Sequence, residues 1–341
     1  MLLRASAHRG VAVRYQEADN ALPARLDLVS LGETMALLSP SRTGLLRHAD
    51  ALHLSVGGSE SNVLIAAERL GVRCAWMGRV GDDELGQRVL REIRGEGVDV
   101  RAIVDPTAST GLMIKERRTE GQTRLWYYRA DSAGSRLQPA DLDLELIRRA
   151  SILHVTGITA GLSASARASV EAAIVASRAA KRLVSIDLNY RRALWKPADF
   201  GTVLRELVRE ADIVFASPQE AAHVVGVPAD DTEGLAHALA ALGPSQVIVK
   251  LGGRGAFALV DGVDCASPAV TVRVVDTVGA GDAFVAGWLV EQIAGADVET
   301  KLRTATACGA YACSVPGDWE GAPTRRDLES MLHDQVDDVE R

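Results

Sequence analysis

The sequence predicts an α/β protein with a mainly parallel central sheet flanked by helices and a small β lid. Short aliphatic runs, such as residues 182–189 and 246–253, alternate with helical patterns of about ten to fifteen residues, as in βαβ units. With 47% hydrophobic and 24% charged residues, the 341-residue chain has a globular composition and is long enough for a large core. Residues 107–130 alternate without any helical pattern, which predicts a hairpin outside the main sheet.

The individual elements follow from periodicity and from glycines at helix ends. β-branched and aliphatic runs predict strands, and apolar residues at helical spacing followed by glycine predict helices. The predicted strands are 26–38, 74–81, 182–189, 212–217, 246–253 and 256–262. The predicted helices are 61–71, 83–97, 200–211, 218–226 and most of 276–295, with two more helices after it.

Three regions define the predicted domain organisation. Residues 1–25 carry arginines but lack the continuous apolar stretch of a secretory signal, so we expect a loose N-terminal extension. The folded domain is expected over 26–335. Its lid is expected from about 37–56 and 107–130, with the hairpin turning at Glu120, Gly121 and Gln122. Ligands of open α/β sheets bind at the carboxyl ends of the strands, where such a lid would close over substrate.

Charge, hydropathy and cysteine spacing narrow the functional class. The formal charge of −7 disfavours nucleic-acid binding, and no apolar run reaches the length of a membrane span. The four cysteines form no CxxC pair and have no histidine at metal-site spacing. We therefore expect buried free thiols in a reducing cytoplasm, with neither nucleic acid nor membrane as a partner.

The stretch Gly279-Ala280-Gly281-Asp282 directly precedes an apolar helical run. Small residues at a helix start let an anion approach the unpaired N–H groups there. An aspartate beside a phosphate makes chemical sense if it takes the proton of a hydroxyl that attacks phosphorus. The alternative is that Asp282 only stabilises the helix start electrostatically. The spacing matches neither a Walker loop nor a dinucleotide-binding turn.

Two long motifs resemble the signatures of the ribokinase-like (PfkB) carbohydrate kinases. Residues 276–284 (DTVGAGDAF) are similar to the carboxyl-terminal signature, and residues 56–87 to the amino-terminal one, in the right order with the hairpin between them. The resemblance covers about 27–330 and implies the ribokinase-like fold, ATP as donor, Mg²⁺ and a sugar hydroxyl as acceptor. It implies that Asp282 is the catalytic base and that residues 279–281 form an anion hole. A monovalent-cation requirement stays open.

The same resemblance implies a nucleotide site. The family commonly has NxxE where this chain has Ser217-Pro218-Gln219-Glu220, so Glu220 is expected to act on the metal through water, or else to be an ordinary acid in the first turn of a helix. The segment 307–312 falls at the family's adenine pocket. The residues expected at the nucleotide are Ser217, Lys250, Gly252, Gly253, Gly255, Gly279 and Gly281.

Three further stretches resemble the 2-keto-3-deoxygluconate kinases within this family: 126–135 (WYYRADSAGS), 187–195 (DLNYRRALW) and 317–323 (GDWEGAP). Such a substrate is an acid, and an arginine fork pairs well with a carboxylate. The substrate contacts implied by the resemblance are Gly58, Asn62, Tyr127, Arg129, Arg191 and Asp282. Asp187 and Asn189 are expected to shape the strand end that aims Arg191.

The expected reaction is phosphorylation of the terminal hydroxyl of 2-keto-3-deoxygluconate by ATP. Met113 stands near a position where the family often has a tyrosine, and it cannot hydrogen-bond equally well. Two alternatives remain: another sugar kinase of the family, such as a fructokinase, and a sugar-sensing protein without catalysis. Because lid sheets often pair in this family, the resemblance also implies a homo-oligomer joined through the lid.

Overall fold

Two β-sheets organise the computed structural model, which describes residues 13–15, 26–119, 122–195 and 197–337. Within these residues, the larger sheet has the strand order β1-β6-β5-β2-β9-β10-β11-β12-β13-β14 and the smaller has β4-β3-β7-β8. In chain order, the strands are β1 Val13–Tyr15, β2 Leu28–Leu31, β3 Met35–Pro40, β4 Leu52–Gly57, β5 Cys74–Gly81, β6 Asp99–Asp105, β7 Leu112–Thr119, β8 Gln122–Tyr128, β9 Ile152–Thr156, β10 Leu183–Asp187, β11 Ile213–Ala216, β12 Gln246–Lys250, β13 Ala256–Val260 and β14 Val263–Ser267.

Helices cover both faces of the larger sheet, and glycines in the left-handed region follow several of them. Gly226 follows one helix with a φ of 76°, and Gly295 follows another with a φ of 73°. The helices are α1 Ser59–Arg69, α2 Glu84–Gly95, α3 Leu144–Arg149, α4 Gly157–Leu162, α5 Ala164–Ala179, α6 Pro197–Arg209, α7 Pro218–Val225, α8 Thr232–Ala240, α9 Ala280–Ala294, α10 Val298–Cys313 and α11 Arg325–Asp337.

The core forms two layers because successive strand residues point to opposite faces of the sheet. In β11, Ile213 and Phe215 pack into the layer under α1, α2, α9 and α10. Val214 and Ala216 pack into the layer under α3, α5, α6, α7 and α8. The strands from β6 through β12 in the sheet order pair in parallel, and only the edge pairs are antiparallel. The predicted fold class is therefore confirmed.

The predicted single strand over 26–38 is wrong. β2 pairs with β5 and β9 in the larger sheet, whereas β3 pairs with β4 and β7 in the smaller one. Residues 32–34 carry the chain from one sheet to the other. A Cβ atom at Gly32 would lie 2.5 Å from the Glu60 side chain, so only glycine fits there. Both strands are buried, and hydropathy alone cannot reveal a change of sheet.

The smaller sheet is built from segments that largely coincide with the regions expected for the lid, although β3 begins at Met35 and β4 ends at Gly57. The predicted hairpin corresponds to β7 and β8, which pair antiparallel from Leu112 opposite Tyr128 to Thr119 opposite Gln122. Residues 120 and 121 of its predicted turn lie outside the described residues. Tyr127 of β8 lines one cavity together with Arg191, which follows β10 in the chain, so this sheet lies near the end of β10.

Few of the residues expected in the N-terminal extension are described. Residues 13–15 form β1, antiparallel to β6, and the rest of 1–25 lies outside the described residues. All four cysteines are free; Cys74 and Cys308 are buried as expected, whereas Cys265 and Cys313 are only partly buried. In the part of the chain that is described, no helix is both long and apolar enough to cross a bilayer.

Candidate active site

The glycine–aspartate turn is the start of α9. Gly279 precedes the helix with a φ of 79°, in the left-handed region that favours glycine. A Cβ atom at this position would lie 1.7 Å from the carbonyl oxygen of Asp318. Among the described residues, the backbone N–H groups of Gly279, Ala280 and Gly281 have no protein acceptor. These groups and the helix dipole can bind an anion.

The carboxylate of Asp282 is held from α1. Oδ1 accepts a hydrogen bond of 2.7 Å from the Ser59 hydroxyl, and Oδ2 accepts one of 2.9 Å from the Asn62 amide. Burial raises the pKa of Asp282, and these two hydrogen bonds only partly oppose that shift. A carboxylate with a raised pKa accepts a proton more readily than an ordinary aspartate, as a general base must.

Ser59 connects this carboxylate to the end of β10. Its hydroxyl accepts a hydrogen bond of 2.7 Å from the Asn189 amide while donating to Asp282. Asn189 has a φ of 39°, a conformation that asparagine tolerates better than most residues. The sequence motif suggested Asn62 but not Ser59, whose role depends on a contact between residues far apart in the chain.

Gly58, expected at the substrate, immediately precedes α1. A Cβ atom there would lie 2.5 Å from the carbonyl oxygen of Glu33, so the two backbone segments lie too close together for any side chain at Gly58. Its backbone N–H donates to the Asn62 Oδ1 atom over 3.4 Å. Gly58 therefore helps to fix the orientation of the amide that holds Asp282.

Most of the residues expected at the nucleotide line one cavity of about 620 Å³. It opens at the carboxyl ends of β11 and β12 and beside the first turn of α9. Gly309 and Ala310 of the predicted adenine segment also line it, whereas Gly279 is not among its lining residues. The expected nucleotide residues that line it are Ser217, Lys250, Gly252, Gly253, Gly255 and Gly281.

Lys250 carries the positive charge of this cavity. Its Nζ atom lies 2.5 Å from the Oδ2 atom of Asp187 at the end of β10. Burial acts to lower the pKa of Lys250, but attraction to Asp187 and Glu220 outweighs it, so the pKa ends above its usual value. The lysine is therefore a permanent cation beside the place where phosphates would lie.

Ser217 and Glu220 form a capping box at the start of α7. The Ser217 hydroxyl accepts from the Glu220 backbone N–H over 3.3 Å, and Glu220 Oε2 accepts from the Ser217 backbone N–H over 2.7 Å. Glu220 Oε1 accepts from the backbone N–H of Tyr190 over 3.0 Å. Serine thus supplies the cap at the position where the family commonly has asparagine, and the metal role of Glu220 stays a prediction.

A second cavity, also of about 620 Å³, lies beside the smaller sheet. Tyr127, Arg129 and Arg191 line it, as does Arg136, which no motif had indicated. Three guanidinium groups therefore surround one space, whereas Asp131 is the acidic residue in its lining. The other expected substrate contacts, Gly58, Asn62 and Asp282, do not line this cavity.

The two predicted arginines are in different situations. Arg129 is partly buried, with 10% of its side chain exposed, and is paired with Glu33, its Nε atom donating to Oε2 over 2.7 Å. Arg191 is exposed, and its Nη1 atom donates to the backbone carbonyl of Tyr190 over 3.2 Å. Glu33 also accepts from the Ser132 hydroxyl. Arg191 is thus the more available of the two for an incoming anion.

Met113 lies in the floor of the lid. It is buried with Met35 and Leu37 and packs against Tyr127. The Met113 thioether packs against the Tyr127 ring and supports it. Any hydrogen bond to substrate in this place must come from the Tyr127 hydroxyl, because a thioether is only a weak acceptor.

The fold and these contacts together define a carbohydrate kinase. The chain belongs to the pfkB family carbohydrate kinases, which match residues 25–325. It is 38% identical to a 2-dehydro-3-deoxygluconokinase of Thermoproteus tenax, over 94% of this chain and 98% of that protein. It is 35% identical to the 2-dehydro-3-deoxygluconokinase of Bacillus subtilis strain 168, over 91% and 97%. The crystal structure of a PfkB protein from Polaromonas sp. JS666 superposes with a TM-score of 0.82 at 32% identity, over 89% and 99%.

Proposed function

We propose that this protein transfers a phosphoryl group from ATP to the terminal hydroxyl of 2-keto-3-deoxygluconate, giving 2-keto-3-deoxy-6-phosphogluconate. The observation that carries the proposal is Asp282 with its raised pKa, one residue after backbone N–H groups that have no acceptor in the described part of the chain. The base for the acceptor hydroxyl and the donors for the transferred phosphoryl group are adjacent on one turn. Two relatives named for this substrate, at 38% and 35% identity, support the choice of sugar acid.

The second cavity favours an acidic substrate over a neutral sugar. Arg136 and Arg191 both line it, and the one partner of Arg191 among the described residues is a neutral backbone carbonyl. A guanidinium fork binds a carboxylate through two parallel hydrogen bonds, which a fructose hydroxyl cannot reproduce. Arg129 contributes less free charge because Glu33 is its partner. We therefore assign Arg191 as the main partner of the substrate carboxylate and Tyr127 as a partner of its other oxygens.

The chemical step follows from the geometry around Asp282. Its carboxylate takes the proton of the terminal hydroxyl, and that oxygen forms a new bond to the γ-phosphorus. The bond between the γ-phosphorus and the bridging oxygen breaks, and ADP leaves with the bonding electrons. N–H groups of residues 279–281 and the Lys250 ammonium stabilise the negative charge on the phosphoryl oxygens.

A divalent cation, which we propose to be Mg²⁺, neutralises phosphate charge when it is bound. In the described part of the chain, no group of three or more His, Cys, Asp or Glu side chains could hold such an ion by itself. This fits an ion bound mainly by ATP phosphates and water. Among the described residues, Asp187 Oδ1 is buried without a hydrogen-bond partner and could accept from a metal-bound water; Glu220 is close enough to Lys250 to raise the pKa of that ammonium together with Asp187.

We further propose a cytoplasmic homo-oligomer joined through the smaller sheet. The free cysteines are compatible with a reducing compartment. Cross-strand register places Leu54, Leu38, Ile114 and Trp126 in one row on the outer face of this sheet. Tyr128, on the same face, is 61% exposed. An apolar sheet face of this kind is typical of a contact between subunits.

A coupled ATP assay over a panel of sugars and sugar acids tests the activity. We expect turnover of 2-keto-3-deoxygluconate, and Asp282→Asn should reduce kcat by orders of magnitude while substrate binding persists. Asp297→Asn is the matched control, because Asp297 is an exposed acid at the start of the next helix, α10. Turnover of fructose but not of keto-deoxy acids would indicate a fructokinase, and near-normal turnover by the Asp282 variant would exclude it as the base.

A further inference from the structure

Lys115 is a buried cation that the proposed mechanism does not use. It lies on β7, on the inner face of the smaller sheet, and is 2% exposed. Its Nζ atom lies 2.5 Å from Asp276 Oδ2 and 3.3 Å from Asp318 Oδ1. It also donates to the backbone carbonyl of Gly317 over 3.0 Å. The ammonium thus has three oxygen partners, which match its three N–H bonds.

The partners of Lys115 belong to the two segments that build the glycine–aspartate turn at residues 279–282, here called the phosphate turn because we propose that it binds the transferred phosphoryl group. Asp276 is the first residue of the DTVGAGD motif, and its Oδ1 atom accepts from the backbone N–H of Val278 over 3.2 Å. Asp318 contacts the same turn through its backbone, since its carbonyl oxygen lies against Gly279. Lys115 therefore ties both segments to the lid strand.

The balance of charge explains why a cation is needed at this point. Asp276 and Asp318 are both buried, and Lys115 lies between their carboxylates. Burial raises the pKa of Asp318 to about 7 even though Lys115 opposes this shift. Without the ammonium, two buried carboxylates would face each other beside the turn that must receive a phosphate.

We propose that Lys115 is a positioning residue of the kinase, an internal cation that holds the phosphate turn in place and makes a bound monovalent cation unnecessary at these carboxylates. The inference rests on the proposed kinase function and adds a structural condition to it. The phosphate turn keeps the geometry needed for catalysis only while the Lys115 ammonium, held on β7, lies between Asp276 and Asp318. A lysine held by covalent bonds loses less entropy at this position than a free ion does.

The test compares three variants with the wild type at equal ionic strength, in buffers containing either K⁺ or tetramethylammonium. Lys115→Met keeps the length of the side chain without its charge, Lys115→Arg keeps the charge, and Lys115→Ala opens space for a small cation. We expect wild-type kcat to be the same in both buffers. Lys115→Met should lose about 100-fold in kcat, comparable to removing a donor to the transition state, with KM for the sugar acid little changed. Lys115→Arg should retain clearly more activity.

Chemical rescue separates positioning from general stability. Ammonium or methylammonium should restore kcat to Lys115→Ala and raise its Tm, and neither ion should affect the wild type. The Tm measurement needs no catalysis, so it tests the cation site even if the wild type phosphorylates no sugar acid, an outcome that would refute only the proposed function. The inference is overturned by a strict K⁺ requirement of the wild type, by Lys115→Met activity within about threefold of wild type, or by no rescue of kcat or Tm.

Discussion

Gly279→Ala is the substitution that most directly tests the phosphate turn. Gly279 has a φ of 79°, and a Cβ atom there would lie 1.7 Å from the carbonyl oxygen of Asp318. Gly295 follows the other end of the same helix with a φ of 73°, and a Cβ atom there would meet nothing within 4 Å. The two glycines have nearly the same backbone conformation, and they differ in the space around them.

The structure gives the expected size of the effect of each glycine-to-alanine substitution on stability and on kcat. Left-handed backbone costs a residue with a side chain about 1–2 kcal/mol, and this cost applies to both positions. At residue 279 the clash adds to it, because a separation of 3.0 Å requires a displacement of about 1.3 Å. A displacement of roughly 1 Å in catalytic groups can cost about 100-fold in rate. We expect about that loss in kcat for Gly279→Ala and none for Gly295→Ala.

Thermal unfolding and steady-state kinetics of the two variants check these numbers. Both should lose stability, with the larger loss in Gly279→Ala because overpacking adds about 1–3 kcal/mol. The two effects on kcat should differ sharply although the backbone strain is the same. Equal kcat values in the two folded variants would refute the assignment of residues 279–281 as the phosphoryl-binding turn.

Three other predictions concern the base, the substrate and the lid. Because burial raises the pKa of Asp282 and the base must be unprotonated, kcat should fall with decreasing pH at a pH above the ordinary aspartate range; a kcat that stays flat down to about pH 4 contradicts this. Arg191→Met should raise KM for the sugar acid more than tenfold, as roughly expected for a charge-assisted pair, whereas the adjacent exposed Arg192→Met should not; equal KM values would remove Arg191 from the site. Tyr128→Glu should shift the protein to a smaller species in light scattering, and Val175→Glu, a change at an exposed valine on α5, should not; an unchanged mass would place any subunit contact elsewhere.

Much of the fold could be predicted because its signals are local. Period-two and helical patterns lie within single elements, and glycines follow helices where the chain must turn left-handed, as at Gly226 and Gly295. The strand over 26–38 was predicted wrongly for the same reason. Hydropathy reports burial but not the partner strand, and both β2 and β3 are buried.

The candidate site was predictable only in part. The glycine–aspartate turn could be predicted because N–H groups, dipole and carboxylate all belong to four consecutive residues. The capping box of Ser217 and Glu220 is equally local, although its motif suggested a metal role. By contrast, no pattern indicated that Glu33 pairs with Arg129 or that Asp187 pairs with Lys250.

The sequence by itself determined the α/β class and the order of the two motifs, and it predicted a phosphate site at the start of α9. Each depends on residues close together in the chain, where backbone geometry limits the arrangements. Only the tertiary structure decided which charges meet. Ser59 with Asp282, and Lys115 with Asp276 and Asp318, are pairings between distant segments, and such pairings depend on how the sheets and helices pack. A charged side chain has many potential partners along a chain, and folding brings only a few of them within reach.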